Sequence, residues 1–282
     1  MTEAVPTTAE VMRQARDENF PVAFRFLPPR LRRDLRAIYA YARFVDDLGD
    51  EYAGDRSAAL AEVEADLDRI FAGDEPREPN LRPIAATVRR HGVPRDPLQR
   101  LVNANKVDQI RTWYQSYDEL LQYCELSANP VGRLVLHVLG KATPERFELS
   151  DNVCTALQLI EFCQDVREDL LRDRVYIPFE DLQQYSVTEE DLSEEQETPT
   201  NVKTLVYFEA RRAKQLLEDG APLVHTLSGW GKLAVAGYVG GGFATLDALD
   251  RAEYEVLPVG PTATKGEKLK AAWRVLREEP EE

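Results

Sequence analysis

Two groups of acidic residues stand out because their spacing would gather carboxylates on one face of a helix. The first group lies in YAYARFVDDLGDE, residues 39–51, where Asp46 and Asp50 are four residues apart. Asp47 and Glu51 form a second pair beside them. Like charges at this spacing repel one another, and acids near the end of a helix oppose its macrodipole. A divalent metal would offset this cost, and no lysine lies nearby in the sequence to do so.

The second group lies in QLIEFCQDVREDLLRDRVYIP, residues 158–178. Glu161, Asp165 and Asp169 recur every four residues and would form a carboxylate stripe along three turns of a helix. Apolar residues around them predict that this helix is largely buried, where carboxylates are costly unless they are paired or bound to metal. Pairing with arginine is the alternative that needs no metal. The arginines available in this segment are Arg167, Arg172 and Arg174.

Either group alone has an ordinary explanation as a solvated helix face, but two such groups on apolar helices form a more specific pattern. Oxygen ligands without histidine or cysteine favour Mg²⁺, which keeps several waters and bridges carboxylates to substrate phosphates. The reaction that needs this arrangement is the departure of a diphosphate. The metal would neutralise the leaving group while a dry apolar cavity holds the resulting carbocation.

Composition excludes several other classes of protein. The chain has 282 residues, with 50 Asp and Glu against 35 Lys and Arg, which gives a net charge of −15. A nucleic-acid-binding face usually carries the opposite charge, so nucleic acid is not an expected partner. The three cysteines are scattered and the three histidines are far apart, so neither set forms a zinc-binding pattern. Reduced thiols in a cytoplasmic protein are the simplest explanation.

The termini and hydropathy bear on contact with membranes. The first residues lack the basic start and apolar run of a secretory signal, and no apolar stretch reaches the length of a membrane span. We therefore expect a cytoplasmic protein, with peripheral contact with a membrane left open because the expected substrate is lipid-like. The basic run Lys265–Lys270 could approach a diphosphate or an anionic lipid, or could be a solvated helix face.

Most of the chain reads as helix, which predicts an all-α fold in a single domain spanning 1–282, with a peripheral tail from about 260. Strand-like alternation is almost absent, and Gly and Pro clusters mark the breaks. Pro130 falls within an apolar helical run and should kink it. The acidic stretch 184–200 is predicted to be a surface loop. The predicted helices are 31–45, 57–72, 100–112, 118–140, 150–172, 201–227 and 232–251.

The acidic motifs resemble those of a known family. The box DDLGD at 46–50 is similar to the first aspartate-rich motif of the squalene/phytoene synthases, the head-to-head trans-isoprenyl diphosphate synthases. QDVREDLLRDRVYIP at 164–178 is similar to their second motif, and the resemblance covers nearly the whole chain. It implies a helical bundle of the isoprenoid-synthase type with a central cavity, and Mg²⁺ as the cofactor.

The resemblance also implies roles for individual residues. Carboxylates that would carry the metal chemistry are Asp46, Asp47, Asp50, Asp165 and Asp169, with Glu161 as a further metal ligand in place of the asparagine common in the family. Residues that would face the diphosphate are Tyr39, Arg43, Arg174, Tyr176 and Arg212. Candidates to line the prenyl cavity, each equally explained by helix packing, are Phe20, Ala128, Val131, Gly132, Gly237 and Phe243.

Within the family, three segments look most like bacterial hydroxysqualene synthases, which convert presqualene diphosphate to hydroxysqualene in squalene or hopanoid biosynthesis. They are ENFPVAFRFLP (18–28), YCELSANPVGRLVLHVLG (123–140) and GGFATLDALDRAEYEVL (241–257). No nicotinamide cofactor would then be needed, and no GxGxxG motif is present. Gly240, Gly241 and Gly242 replace a tyrosine region of condensing relatives, which would widen the cavity or admit water.

Three alternative functions are compatible with the sequence. Enzymes that condense two prenyl diphosphates, to presqualene diphosphate, squalene or phytoene, tend to carry a Ser-Lys-Ser-like element. This chain has Asp17, Glu18 and Asn19 there, which weakens the case for a second diphosphate. A non-catalytic isoprenoid-binding protein with the same fold is the other alternative, and Glu161 keeps it open. A purely structural helical protein would show no metal dependence at all.

Overall fold

The computed structural model describes residues 27–194, 196–257 and 259–278. Over this part of the chain the structure is helical and contains no strand, so the all-α prediction is confirmed. An isolated β-bridge joins Trp113 to Val175. Among the described helices, none combines the length and the apolar content required to cross a bilayer.

The first six helices in chain order are α1 Pro29–Asp50, α2 Arg56–Ala72, α3 Arg82–His91, α4 Arg95–Asp108, α5 Tyr117–Ser127 and α6 Asn129–Val138. A 3₁₀ turn, Pro79–Leu81, precedes α3. The next four are α7 Pro144–Gln164, α8 Val166–Leu171, α9 Phe179–Gln184 and α10 Glu189–Leu192. The last four are α11 Thr200–Gly220, α12 Leu223–Thr226, α13 Gly229–Arg251 and α14 Lys265–Arg277.

The backbone contacts group the chain into two compact units. The first comprises Met1–Ile110 and Glu125–Phe147, and the second comprises Arg111–Cys124 and Glu148–Glu282, each as far as the structure describes them. The expectation of a single domain stays a prediction. Each unit carries one of the two acidic motifs, so the units are described in turn.

Helix α1 organises the first unit. It begins after Pro28 with Pro29 in its first turn, a position that tolerates proline because the N–H there has no partner within the helix. Apolar residues every three or four positions, among them Ile38 and Phe44, are buried and meet α2, α3, α4 and α6. The hydroxyl of buried Tyr41 donates to the carbonyl of Leu98 in α4 at 2.8 Å. These contacts fix the helix that carries the first acidic motif.

Helix α13 organises the second unit and packs against α11, α12 and α14. Its contact with α14 is made by small residues, which allow the two helices to approach closely. The buried alanines in this cluster are Ala244, Ala248, Ala263 and Ala271. A side-chain β-carbon placed on Gly240 would lie 2.3 Å from the backbone nitrogen of Ala272, so this position requires glycine.

Two predicted helices are interrupted. The segment 118–140 forms α5 and α6, which are separated at Ala128 (φ −103°, ψ −53°), and Pro130 lies in the first turn of α6. The proline therefore begins a new helix, and the expected kink is a complete break. The segment 150–172 is divided at Asp165 (φ −103°, ψ 19°) into α7 and α8, so the prediction of one continuous helix was wrong there.

The acidic stretch 184–200 contains a short helix, α10, where the sequence predicted only a loop. The helix begins after Thr188, whose hydroxyl accepts a hydrogen bond from the N–H of Asp191, while the carboxylate of Asp191 accepts one from the N–H of Thr188. This capping box supplies two of the partners that the ends of a short helix lack. The basic run Lys265–Lys270, for which a solvated helix face was one of two readings, forms the start of α14, which has a similar capping box at Thr264.

The prediction that three consecutive glycines widen a cavity is wrong for two of them. Gly240 lies against α14, and a β-carbon on Gly242 would lie 2.8 Å from side-chain atoms of Leu157 and Leu217. At buried Gly241, by contrast, the described residues place no atom within 4 Å of such a carbon, apart from the surrounding turns of α13.

These adjacent glycines give a matched test of the α13–α14 contact. Gly241→Ala should stabilise the protein by about 0.5–1 kcal/mol, because alanine favours a helix and has space there. Gly240→Ala has the same helix preference but would collide with α14, so a net loss of about 1–3 kcal/mol is expected. Chemical denaturation of both variants measures the difference. Equal stabilities would contradict the close contact.

Candidate active site

In the first acidic motif, Asp47 and Glu51 are paired with arginine. The Nε atom of Arg43 lies 2.7 Å from Oδ1 of Asp47, and its Nη2 donates to Glu51 at 3.2 Å. Asp47 is buried. The sequence assigned Arg43 to the diphosphate by resemblance, and its pairing with Asp47 one turn later was missed. The predicted catalytic role of Asp47 stays a prediction, and its carboxylate already has a cation.

Arg56, which the sequence prediction missed, offsets the unfavourable charge at the end of α1. Its guanidinium donates to the carbonyl of Asp50 at 2.8 Å and to the carbonyl of Tyr52 at 3.0 Å. A cation at the C-terminus of a helix is favourable because it neutralises the partial negative charge of the last carbonyls. Arg56 therefore binds the end of α1 through backbone carbonyl groups.

Asp46 is oriented by a neutral amide. The Nδ2 atom of buried Asn105 in α4 donates to Oδ1 of Asp46 at 2.9 Å and to the carbonyl of Leu101 at 3.2 Å. Gly49 makes room for this side chain, because a β-carbon there would lie 2.2 Å from Oδ1 of Asn105. The sequence signal that could have revealed Asn105 is a polar residue on the apolar face of α4.

The environment of Asp46 makes its carboxylate costly to ionise. Burial by surrounding protein raises its pKa to about 7, the hydrogen bond from Asn105 and the charge of Arg43 oppose the rise, and Asp50 adds to it. The side chain nevertheless reaches solvent. A carboxylate that is crowded by protein and still accessible can be reached by a cation from solution.

The second motif keeps helical spacing across the break at Asp165. The N–H of Asp165 donates to the carbonyl of Glu161 at 2.9 Å, and the N–H of Asp169 donates to the carbonyl of Asp165 at 2.8 Å. The three acids are thus brought to the same side of the chain, as the four-residue spacing predicted. Glu161 is exposed, and its Oε2 accepts a hydrogen bond from Gln158 at 3.2 Å.

Burial and mutual repulsion disfavour ionisation of this motif. Burial raises the pKa of Asp165 to about 6, with a further rise caused by Glu168. Burial raises the pKa of Asp169 to about 8, and the charges of Asp165 and Glu161 add to that rise. Arg172 acts in the opposite direction on both acids but does not restore ordinary values. A bound divalent cation would reverse this balance.

Two of the arginines that could have paired these carboxylates bind elsewhere. Arg167 donates through Nη1 to the carbonyls of Ser193 and Glu194, at 2.6 and 3.0 Å. Arg172 pairs with Glu168 at 2.9 Å. The backbone N–H of Arg174 donates to the carbonyl of Asp169 at 3.0 Å. The charge of Arg172 lowers the pKa of Asp165 and Asp169, but burial and the neighbouring acids raise it by more.

Tyr176 belongs to an aromatic cluster. Its ring stacks on Phe162 with centroids 4.1 Å apart, and it lies 6.0 Å from Tyr114 and 5.6 Å from Tyr123. Tyr176 is buried, as are the three partners. This cluster adjoins the second motif in sequence and was not predicted as a unit. The proposed contact of Tyr176 with diphosphate stays a prediction.

Arg212 is held by two buried carboxylates. Its Nη1 donates to Oδ2 of Asp181 at 2.6 Å and to Oε1 of Glu209 at 3.1 Å, and its guanidinium faces the rings of Tyr117 and Phe208. Burial raises the pKa of Glu209 to about 8, despite the charge of Arg212. Binding of diphosphate by Arg212, predicted from the motif, would have to compete with these acids.

The remaining predicted residues are distributed as follows. Tyr39 is half-buried on α1, one turn before Arg43. The guanidinium carbon of Arg274 lies 5.9 Å from the ring centre of Phe243. Phe20 falls outside the described residues. The other cavity candidates, whose lining role stays a prediction, are Ala128, Val131, Gly132 and Gly237.

The acidic pairs fit Mg²⁺ in one specific way. Among the described residues, no three His, Cys, Asp or Glu side chains converge as a complete cage for one ion. Mg²⁺ does not require such a cage, because it retains waters and takes one or two carboxylates together with substrate phosphate oxygens. Crowded oxygen donors with raised pKa values match that mode of binding. The residues that would bind such an ion are Asp46 and Asp50 in the first motif, and Asp165 and Asp169 in the second, with Glu161 as a further donor.

Comparison with known proteins identifies the family. The model of the family described as squalene/phytoene synthase matches residues 13–272. The chain belongs to the squalene/phytoene synthase family. It is 33% identical over 209 residues to a hydroxysqualene synthase of Rhodopseudomonas palustris, covering 74% of this chain and 70% of that protein. Members of the family are enzymes that act on isoprenoid diphosphates.

Other relatives in the family carry different names. A phytoene synthase of Mycobacterium tuberculosis is 29% identical over 228 residues, covering 79% of this chain and 72% of that protein. The crystal structure of a squalene synthase from Alicyclobacillus acidocaldarius is 38% identical, with a TM-score of 0.78, and covers 88% of this chain and 94% of that one. The fold expected from the motifs is therefore confirmed, and the reaction has to be argued separately.

The raised pKa values predict how stability depends on pH without metal. An unfolded aspartate has a pKa of about 3.9, so between pH 4 and 8 the native protein holds protons that the unfolded chain releases. The free energy of unfolding should therefore fall as pH rises through this range. Asp169→Asn should remove much of the fall and be more stable than wild type at pH 8, by on the order of 2 kcal/mol. Urea denaturation in EDTA from pH 5 to 8 tests this, and a pH-independent difference would contradict it.

Proposed function

We propose that this protein ionises presqualene diphosphate with the help of Mg²⁺ and captures the rearranged cation with water to give hydroxysqualene. The observation that supports the first half is that Asp46 in the first motif, and Asp165 and Asp169 in the second, are crowded carboxylates with raised pKa values, in a family whose members act on isoprenoid diphosphates. Such carboxylates are suited to a cation that in turn binds a polyanionic leaving group.

The proposed reaction balances as follows. The carbon–oxygen bond to the diphosphate breaks, and the diphosphate leaves with the electron pair. The cyclopropylcarbinyl cation rearranges, a water oxygen bonds to it, and one proton passes to solvent or to the released diphosphate. Bound Mg²⁺ would supply charge neutralisation for the leaving diphosphate. No oxidant or reductant is consumed, which agrees with the expectation that no nicotinamide is needed.

The residues of this chain divide the work in the proposal. Asp46 and Asp50 in the first motif, and Asp165 and Asp169 in the second, would ligate Mg²⁺, which would supply charge neutralisation for the diphosphate. Asn105 keeps the carboxylate of Asp46 aimed by donating one of its amide hydrogens. Arg43 holds Asp47 and thereby keeps the adjacent turn of α1 rigid. The guanidinium groups of Arg43 and Arg174 are the nearest candidates in the motifs to bind the leaving diphosphate.

Similarity favours the water-capturing reaction over condensation. Several of the most similar curated relatives are named hydroxysqualene synthases, at 32–35% identity. The acidic Asp17 and Glu18, where condensing enzymes tend to have a lysine-containing element, favour binding one diphosphate over two. Residues 17–19 lie outside the described part of the chain, so this argument is from sequence alone.

Condensation of two prenyl diphosphates is the second candidate. Phytoene synthases at 29% identity cover as much of this chain as the hydroxysqualene synthases do. A non-catalytic isoprenoid-binding protein would need neither acidic pair to hold metal. The peripheral membrane contact suggested by the lipid substrate also stays a prediction.

Separate incubations with single substrates distinguish these reactions. With Mg²⁺ and presqualene diphosphate we expect hydroxysqualene and free diphosphate, and with EDTA we expect neither. With farnesyl diphosphate alone we expect no coupled product. Chromatography of the products, with a parallel assay of released diphosphate, makes the measurement. Presqualene diphosphate or a phytoene-like product from the simple prenyl diphosphates would favour the transferase, and no release from any substrate would favour the binding protein.

A matched pair of variants tests the second motif. Asp169→Asn should lower kcat/KM by about 100-fold or more, because a metal ligand is lost. Glu168→Gln changes the neighbouring acid, which is exposed and paired with Arg172, and should lower it less than about threefold. Steady-state diphosphate release gives both values, with circular dichroism as the check on folding. Similar effects of the two changes would show that position 169 has no special role.

A further inference from the structure

The segment between α13 and α14 crosses the break at Asp165. We call residues 255–257 and 259–264 the strap. Gly260 and Pro261 of the strap lie against Gln164, the last residue of α7 and the neighbour of Asp165. The strap is therefore in contact with the second acidic motif, although about 95 residues separate them along the chain.

Gln164 is held by the strap through both its side chain and its backbone. It is 5% exposed, and its Nε2 donates to the carbonyl of Pro261 at 2.5 Å. A β-carbon on Gly260 would lie 2.4 Å from the carbonyl oxygen of Gln164. The φ of Gly260 is not in the left-handed region, so the need for glycine is one of space.

The strap itself is anchored away from the motif. Buried Thr198 accepts hydrogen bonds at Oγ1 from the N–H groups of Val256 and Leu257, at 3.0 and 2.9 Å. The carboxylate of Glu255 accepts from the N–H of Thr198 at 2.6 Å and pairs with Lys203 at 2.7 Å. At its other end, Ala263 joins the alanine cluster of α13 and α14. The strap is thus fixed on both sides of Gly260.

The opposite side of the break is also held. Arg167, two residues after Asp165, donates to the carbonyls of Ser193 and Glu194. The chain on either side of Asp165 is consequently tied to a different loop of the same unit. Because the N–H of Asp169 donates to the carbonyl of Asp165 at 2.8 Å, the two acids lie one helical turn apart, and the contacts of Gln164 and Arg167 flank that turn.

We propose that the strap is a positioning device: Gln164 and Gly260 set the backbone break that aims Asp165 and Asp169 at Mg²⁺-bound diphosphate. This deepens the proposed function and rests on it for the identity of the ligand. Gln164 and Gly260 are positioning residues, since they act through Asp165. The buried amide of Gln164 acts on the backbone beside Asp165 by donating to the carbonyl of Pro261, whereas Asn105 donates directly to the carboxylate of Asp46.

The alternative is that the strap contributes only to packing. A packing role would lower stability in every variant without changing the affinity for metal and diphosphate in the folded protein. A positioning role would change that affinity at temperatures where the variant is folded. The two therefore differ in a readout other than overall stability.

The test compares Gly260→Ala with the control Gly266→Ala. Gly266 is exposed on α14, and a β-carbon there would lie 4.0 Å from Oγ1 of Thr264, an ordinary contact distance. Gln164→Met keeps the size of the side chain but removes the donor, and Gln215→Met on exposed α11 surface is its control. Each variant is titrated with Mg²⁺ in the presence of inorganic diphosphate, and binding is followed by calorimetry at a temperature at which circular dichroism shows it folded. Hydrogen exchange of residues 160–170 is measured alongside.

We expect binding of Mg²⁺ and diphosphate to weaken by about tenfold or more in Gly260→Ala and Gln164→Met. Both variants should also exchange faster at 160–170, while the controls match wild type within about twofold. If Gly260→Ala does not fold, the binding measured for Gln164→Met tests the positioning role. Unchanged binding in folded Gln164→Met would overturn the positioning role. Wild-type binding of Mg²⁺ and diphosphate without turnover of presqualene diphosphate would refute the proposed reaction and leave this inference standing.

Discussion

Repulsion among closely spaced carboxylates is the constraint on which the described structure depends. Asp165 and Asp169 lie one turn apart and have raised pKa values. Burial also raises the pKa of Asp46, and the charge of Asp50 adds to that rise. A chain free to relax would separate such groups or pair each with an arginine. Here the backbone around them is fixed by other contacts, so the cost remains in the folded protein. A bound cation would remove this repulsion, and the free energy released would increase its affinity for the site.

A buried side-chain amide and a closely packed glycine lie at each motif, but they act in different ways. Asn105 donates directly to the carboxylate of Asp46, whereas Gln164, the residue before Asp165, donates to the carbonyl of Pro261 in the strap. A β-carbon on Gly49 would collide with the side chain of Asn105, and one on Gly260 would collide with the backbone carbonyl of Gln164. A side-chain amide is neutral, so these hydrogen bonds add no positive charge beside the carboxylates, and a cation can still bind there. Arginine, in contrast, is used for Asp47, which is thereby neutralised.

Much of the fold could be predicted because helical periodicity is a local property of the sequence. The long helices α1, α2 and α13 and the four-residue spacing of the acids follow from it directly. The break at Asp165 could not be predicted in this way, because Gly260 and Pro261, far along the chain, contact the residue before it. The helix within the acidic stretch was missed for a different reason: its capping box at Thr188 was overlooked among the acidic residues.

The sequence by itself determined the family, the helical class and the two groups of carboxylates, since all three depend on residue types at short spacings. Only the tertiary structure decided which of those carboxylates are neutralised and which stay crowded. Asp47 obtains a cation from its own helix, Asp46 receives an amide from α4, and Asp169 keeps neighbours of its own charge. Local spacing could have specified only the first of these outcomes, because Arg43 and Asp47 are four residues apart on one helix. The other two depend on burial and on the approach of α4 and the strap, which are set by packing among residues distant in the chain.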